Sequence, residues 1–279
     1  MSSVGEPSGR DYIPPQIDTN RPSHARVYDL FNGGKDNFEV DRAVFNQISQ
    51  FAPALPLIVQ EQRKWLVRVV RFLAGPAGID QFLDLGSGLP TAQNTHEIAQ
   101  QVNPDATVVY VDNDPVVVAH GRAVLEENEH THFVDADFID PEKLFANPTV
   151  AAHLELDRPM GLLMVGILHL VDEDAKPQDF VAQYLERMAP GSYVAIAQMT
   201  MPGKDSENRA LGVRVFQTLS AVIEKLTWRD RAEITQFFGD WQVLDPGLTV
   251  LNEWWPDGPQ VAPMPAEGNL VLGAVARKS

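Results

Sequence analysis

The chain has 279 residues, 44% hydrophobic and 22% charged, which is the balance of a globular protein with a sizeable core and excludes disordered, collagen-like and coiled-coil chains. Its 22 Lys and Arg face 38 Asp and Glu, a net charge of -16 that repels a nucleic-acid backbone and argues against nucleic acid as a partner. With 0 cysteines, disulfides, thiolate nucleophiles and Cys-based metal sites are ruled out.

Residues 1–9 lack the basic start and apolar run of a secretory signal. No stretch approaches the roughly 18 apolar residues of a membrane span, so a cytoplasmic protein with no membrane partner is expected. Residues 1–22, rich in Ser, Gly and Pro and without apolar period, predict a flexible N-terminal arm. The block 23–76 predicts a helical extension. Val27, Leu30 and Phe31 share one face, the turn Asn32-Gly33-Gly34 follows, and then come Phe38, Val44, Phe45 and Ile48. Pro56 opens a longer helix bearing Leu57, Ile58, Trp65, Leu66, Val69, Val70 and Leu73, which stops at Gly75-Pro76.

From residue 77 to 279 short apolar runs alternate with helical stretches, which predicts an α/β domain with a mostly parallel sheet covered on both faces. Strands are expected at 81–85, 107–111, 131–134, 162–167 and 193–198, with helices near 92–101, 116–127, 141–145 and 177–188. A long helical stretch over 207–226 follows, then a shorter helix started by Thr227 with Asp230. Two final strands are expected at 248–251 and 270–275, separated by a loop holding Trp254 and Trp255, which read either as walls of an apolar pocket or as loop anchors.

The sharpest local signal is the strand-to-turn run Asp84-Leu85-Gly86-Ser87-Gly88. Glycines there let backbone approach a ligand, and amides at the start of the next helix favour an anionic group. Asp84 at the strand tip suits a ligand bearing an ammonium group. Thr91 stands where a dinucleotide fingerprint has its third glycine. The second strand ends at Asp112, the distance downstream at which a carboxylate meets a ribose; Asn113 reads either as a neighbour of an adenine or as plain turn, and Asp114 before Pro115 reads as a helix cap in preference to a ligand contact. Asp137 and Phe138 follow the third strand and read either as ligands, Asp137 accepting from an adenine amino group and Phe138 offering its amide and ring face, or as an acidic loop with a core aromatic. His169 follows the fourth strand and reads either as a general base for an acceptor or as a hydrogen-bonded structural histidine.

No metal constellation is expected. His96-Glu97 lacks the second His of a metalloprotease helix, and His130 and His132 have no ligand set nearby. Gly33-Gly34-Lys35 is followed by Asp36 where a P-loop needs Ser or Thr, and Ser87 sits in no nucleophile elbow.

Taken together, Asp84-x-Gly86-x-Gly88, Asp112, Asp137-Phe138 and a closing strand at Arg277-Lys278 resemble a Rossmann-like class I S-adenosylmethionine-dependent methyltransferase. The blocks Ile17-Asp18-Thr19-Asn20-Arg21-Pro22, Ala25-Arg26-Val27-Tyr28-Asp29 and Gly33-Gly34-Lys35-Asp36-Asn37-Phe38, with Leu89-Pro90-Thr91 and Tyr110 to Pro115, resemble a bacterial S-adenosyl methyltransferase family long catalogued as a domain of unknown function. The resemblance implies a sheet of mostly parallel strands with an antiparallel last strand, S-adenosylmethionine as cofactor, S-adenosylhomocysteine as product, and a small-molecule methyl acceptor. It implies Asp84, Gly86, Ser87, Gly88, Asp112, Asn113, Asp137 and Phe138 as cofactor-binding residues. Within it the N-terminal helices read either as a lid over the cofactor or as helices packed on the sheet. Tyr28 then reaches the methionine end or the acceptor, and Lys35 binds a carboxylate on either. Two rivals share the sheet edge, an NAD-linked oxidoreductase and a non-catalytic S-adenosylmethionine sensor. Oligomeric state carries no signal in the sequence.

Overall fold

The computed structural model describes residues 17–91, 93–125, 128–221, 223, 226–258 and 264–279; the arm expected over 1–22 lies outside them up to residue 16. Eight strands form one sheet: β1 Gln81–Leu85, β2 Thr107–Asp112, β3 Thr131–Asp135, β4 Gly161–Val165, β5 Tyr193–Met199, β6 Gln242–Val243, β7 Thr249–Val250 and β8 Val271–Arg277. Their order is β3-β2-β1-β4-β5-β8-β6, with β7 also on β8. The first five run parallel, and β8 is antiparallel to β5, with Tyr193 opposite Arg277. This is the Rossmann-like class I methyltransferase arrangement that the sequence predicts. Connections leave β1 toward β2 and β3 on one side and return to β4 and β5 on the other, so a crevice opens at the carboxyl ends where the order reverses.

The helices are α1 His24–Phe31, α2 Glu39–Ser49, α3 Leu55–Ala74, α4 Thr95–Val102, α5 Pro115–His120, α6 Pro141–Phe145, α7 Pro148–His153, α8 Pro177–Arg187, α9 Arg209–Ser220 and α10 Arg231–Gln236. Alternation along the strands builds two cores. Phe82, Val108, Tyr110, Leu163 and Ala195 face the layer of α1 to α5 and α9. Leu83, Val109, Leu162, Val194 and Ala274 face the layer of α6, α7, α8 and α10. The three N-terminal helices share the first core with the sheet: Trp65 of α3 is fully buried and meets Trp254 edge-on at 5.8 Å.

The N-terminal sequence blocks have a structural use. Arg26 of α1 pairs with Asp41 of α2 at 2.8 Å, both buried, and Asp41 also accepts the N–H groups of Ser23 and Phe38. A second Arg26 nitrogen donates to the carbonyls of Arg21 and Asp18. A buried charge held by this many partners is expensive to break, so α1 is fixed in place rather than loosely draped.

Several boundaries differ from expectation. The fourth strand stops at Val165 because Gly166 turns the chain at φ 78°. The helix expected from residue 92 starts at Thr95, where Asn94 and Glu97 form a reciprocal cap; residue 92 itself is outside the described set. The helix expected over 116–127 is α5 followed by a π-helical turn, Gly121–Leu125, with 126–127 outside. Asp230, not Thr227, caps α10, closing a box with Glu233. Residues 249–250 pair as a strand only briefly before a turn over Leu251–Glu253. Helix α7 and strand β6 were not expected.

Candidate functional site

At the crevice the tips of β1, β2 and β4 enclose a cavity of about 210 Å³. Its floor is Asp84 and the turn Gly86-Ser87-Gly88. Asp112, Asn113 and Asp114 line one wall, Phe138 closes an end, and Val165, Gly166 and Ile167 form the other wall. His24, Ala25 and Tyr28 of α1 form the roof, with Arg63 and Leu66 of α3 beside them.

Asp84 is buried, and its Oδ2 accepts from the Thr95 hydroxyl at 2.7 Å. Burial pushes its carboxyl up to about 6, against the opposing pull of that hydrogen bond and of the Arg63 guanidinium. Asp112 is buried and oriented by two backbone donors, Gly88 N–H on Oδ2 and Asp114 N–H on Oδ1, each at 2.9 Å. Burial raises its carboxyl too, with the Asp114 and Gly88 hydrogen bonds working downward and the Asp114 charge upward.

The glycine turn works differently from expectation. Gly86 and Ser87 donate their N–H groups to Val111 O at 2.8 and 3.2 Å, and Gly88 donates to Asp112. The amides of Gly86, Ser87 and Gly88 are thus all engaged within the protein. The turn instead supplies shape. Gly86 and Gly88 sit at φ 62° and 68°, in the left-handed region. A Cβ on Gly86 would collide with Ile167, whereas a Cβ on Gly88 would stand in open space. Ser87 Oγ is buried with no hydrogen-bond partner.

Of the other sequence candidates, Asn113, Phe138 and Tyr28 line the cavity. Asp137 does not: it is exposed, and its Oδ1 turns back to accept from Ile139 N–H at 3.1 Å. Lys35 is exposed just beyond the Gly33-Gly34 turn and lines neither this cavity nor its neighbour. Asp114 caps α5 by accepting from Val116 and Val117 N–H, as its position before Pro115 predicts. Trp254 is buried against Trp65, and Trp255 stacks on Trp254 and meets Phe72 edge-on; neither lines either cavity.

His169 lies behind α1 in a second, adjoining chamber of about 50 Å³. Its walls include Val27, Phe31, Leu55, Ile58, Met199 and Leu219, with His24, Tyr28 and Gln62 as polar members. His24 and Tyr28, one turn apart on α1, line both chambers. The His24 and His169 rings meet edge to face at 5.7 Å. Gln62 Nε2 donates to the Tyr28 hydroxyl at 3.3 Å. Burial lowers the His24 imidazole to about 4, with the nearby Asp114 charge pulling upward. Burial drives His169 well below its ordinary value, assisted by His24 and Arg229. Burial also raises the Tyr28 hydroxyl.

Sequence reasoning missed His24, Gln62 and Arg63. His24 opens an ordinary helix and carries no local signal. Gln62 does carry one, since it falls in the apolar stripe running Ile58, Gln62, Trp65, Val69, and a polar residue there asks for a partner. The cavity fits the cofactor that the motifs imply: Ser87 Oγ is buried without a partner, Gly88 leaves a bare backbone flank, and the carboxylates of Asp84 and Asp112 both line it.

Comparison with known proteins agrees. The family model described as S-adenosyl methyltransferase matches residues 10–279. A candidate methyltransferase from Thermobifida fusca YX has a solved structure 40% identical in sequence, covering 97% of this chain and 100% of its own, with TM-score 0.88. A DUF574 family protein from Streptomyces avermitilis MA-4680 is 36% identical over 95% of this chain and 100% of its own, also with TM-score 0.88. An O-methyltransferase family protein from Burkholderia thailandensis shares the fold at 14% identity and TM-score 0.52, over 86% of this chain and 62% of its own. No curated protein matches the sequence.

Proposed function

This chain belongs to the S-adenosyl methyltransferase family, its cofactor is S-adenosylmethionine, and from that premise we propose that it methylates a small-molecule acceptor and releases S-adenosylhomocysteine. The observation that carries this reading is the pair of adjoining chambers sharing His24 and Tyr28, one walled by the strand-tip acids and the other mostly apolar. A chamber of about 50 Å³ under α1 admits part of a small molecule, not a folded segment of a macromolecule. The net charge of -16 also disfavours nucleic acid. A cytoplasmic location belongs to the same reading, because the cofactor is an intracellular metabolite. No helix among the described residues is long and apolar enough to cross a membrane.

When bound, S-adenosylmethionine supplies an electrophilic methyl group on a sulfonium. We assign the ribose hydroxyls to Asp112, whose carboxylate is already oriented by two backbone donors. Asp84 takes the ammonium of the methionine end and Arg63 its carboxylate, while Asn113 and Phe138 border the adenine. Asp137 and Lys35 have weaker claims, because both are exposed outside the cavity wall. A carboxylate pressed against the sulfonium would favour the charged ground state over the transition state, in which that charge disappears. The acids are therefore best kept at the cofactor's ends.

The rest of the work is alignment and exclusion of water. Tyr28 roofs both chambers and orients the acceptor. His24 and His169 are held neutral by burial, the form in which an imidazole accepts a proton from an acceptor hydroxyl.

Incubation with S-adenosylmethionine and a panel of uncharged small molecules tests the proposal. The expected result is S-adenosylhomocysteine formed together with a product carrying one added methyl group. Tight cofactor binding with no transfer to any member of the panel would instead favour a sensor.

A further inference from the structure

We infer that the apolar chamber behind α1 is the acceptor site, and that it takes an uncharged aliphatic alcohol whose hydroxyl docks on the imidazoles of His24 and His169. This rests on the methyltransferase reading and specifies its acceptor.

Both imidazoles present a buried Nδ1 with no hydrogen-bond partner. Both rings line this chamber, and a buried polar atom without a partner is costly, so the two together call for a ligand that satisfies both. A neutral imidazole offers one donor and one acceptor nitrogen, and a hydroxyl both donates and accepts, so it matches either tautomer of either ring. A ketone or an ether offers no donor.

The remaining lining is apolar except for Tyr28 and Gln62, which are already bonded to each other. Among the described residues no Asp, Glu, Lys or Arg lines the chamber. A carboxylate or an ammonium would therefore lose its hydration without gaining a counter-charge. At about 50 Å³ the chamber is well below the roughly 150 Å³ that holds a benzene ring, so only a short alkyl chain of about one to three carbons fits. His24 also borders the cofactor cavity, which puts the docked hydroxyl at the boundary where transfer has to occur.

The test is histidine-ring NMR on the full chain saturated with S-adenosylhomocysteine, titrated separately with ethanol, acetate, ethylammonium and phenol. The signals of His24 and His169 are assigned by their loss in His24→Gln and His169→Gln. We expect ethanol to shift these two of the 7 histidine signals saturably, while acetate and ethylammonium leave them in place. Leu219→Phe, which fills the chamber, should abolish the response while calorimetry still detects cofactor binding, and this control does not depend on either histidine variant folding. Silent imidazoles with ethanol, or equal shifts with the charged probes, would overturn the inference. A stronger response to phenol would overturn the aliphatic assignment. Failure of the protein to bind the cofactor at all would overturn the function proposed above as well, whereas cofactor binding with silent imidazoles would overturn this inference alone.

Discussion

Ser23, the N-cap of α1, donates its hydroxyl to the carboxylate of Asp114, the N-cap of α5, at 2.5 Å across 91 positions of sequence. Asp114 N–H in turn donates to Asp112, and Asp112 accepts from Gly88 N–H. One chain of hydrogen bonds thus runs from the roof of the cavity through the tip of β2 to the glycine turn. Asp114→Ala removes the cap of α5 and releases the roof. It should lower stability by about 1–2 kcal/mol, read from urea unfolding, and weaken cofactor binding as well. Wild-type stability and affinity in this variant would show that the tie carries nothing.

Asp112→Ala should weaken S-adenosylmethionine binding by roughly 1.5–3 kcal/mol, through loss of charge-assisted hydrogen bonds. Calorimetry reads this directly. The carboxylate also holds the Gly88 and Asp114 amides, so Asp112→Asn, which keeps one acceptor oxygen, should fall between wild type and Asp112→Ala. An unchanged dissociation constant in Asp112→Ala would remove this residue from the ribose site.

Asp84 makes a pH-dependent prediction with opposite signs for the free and bound protein. Its folded-state carboxyl is raised from 3.8 to about 6, so between those values the folded chain holds more proton than the unfolded one. This group's contribution to the stability of the free protein therefore falls as pH rises through that window. His24 acts the other way, losing stability as pH drops from 6.5 toward about 4, so the quantity to compare is the difference between wild type and Asp84→Asn. Binding an ammonium requires the ionised Asp84. Cofactor affinity should thus drop about tenfold from pH 7 to pH 5 in wild type and stay flatter in Asp84→Asn. Parallel pH profiles would detach Asp84 from the cofactor's cationic end.

Two glycines in one turn should respond differently to alanine. At Gly86 the new methyl meets Ile167 and the left-handed backbone is strained, so Gly86→Ala should cost about 3 kcal/mol or more of stability. At Gly88 the methyl meets no protein atom, so Gly88→Ala should cost only the backbone term, about 1 kcal/mol, yet lose cofactor affinity because the methyl projects into ligand space. Thermal unfolding and calorimetry together separate the two. Equal losses of stability would contradict this division of labour.

The periodic parts of the fold were legible because burial imposes a period on sequence. All five parallel strands fall where short apolar runs predict them, and Asp112 and the glycine turn follow from the strand ends. Helix α7 was missed because six residues with one buried side chain, Val150, show no period, although Asn147 before Pro148 was a usable cap signal. His24 was invisible because its role arises from α1 crossing over strand tips far away in sequence. The hydrogen bonds of the glycine turn were hidden for a related reason: its amides are engaged by Val111 and Asp112, partners that only the sheet brings near. Lys35 was a candidate ligand for a carboxylate only through the lid reading that the resemblance suggests, and it lies exposed outside the cavity wall.

The most direct test of the account is a crystal structure of the chain grown with S-adenosylhomocysteine. The prediction is an adenosyl group in the cavity at the tips of β1, β2 and β4, with its ribose hydroxyls on Asp112 and its amino-acid end beside Asp84 and Arg63. Density for the ligand on another surface, or a well-soaked crystal in which Asp112 contacts no part of it, would contradict the assignment.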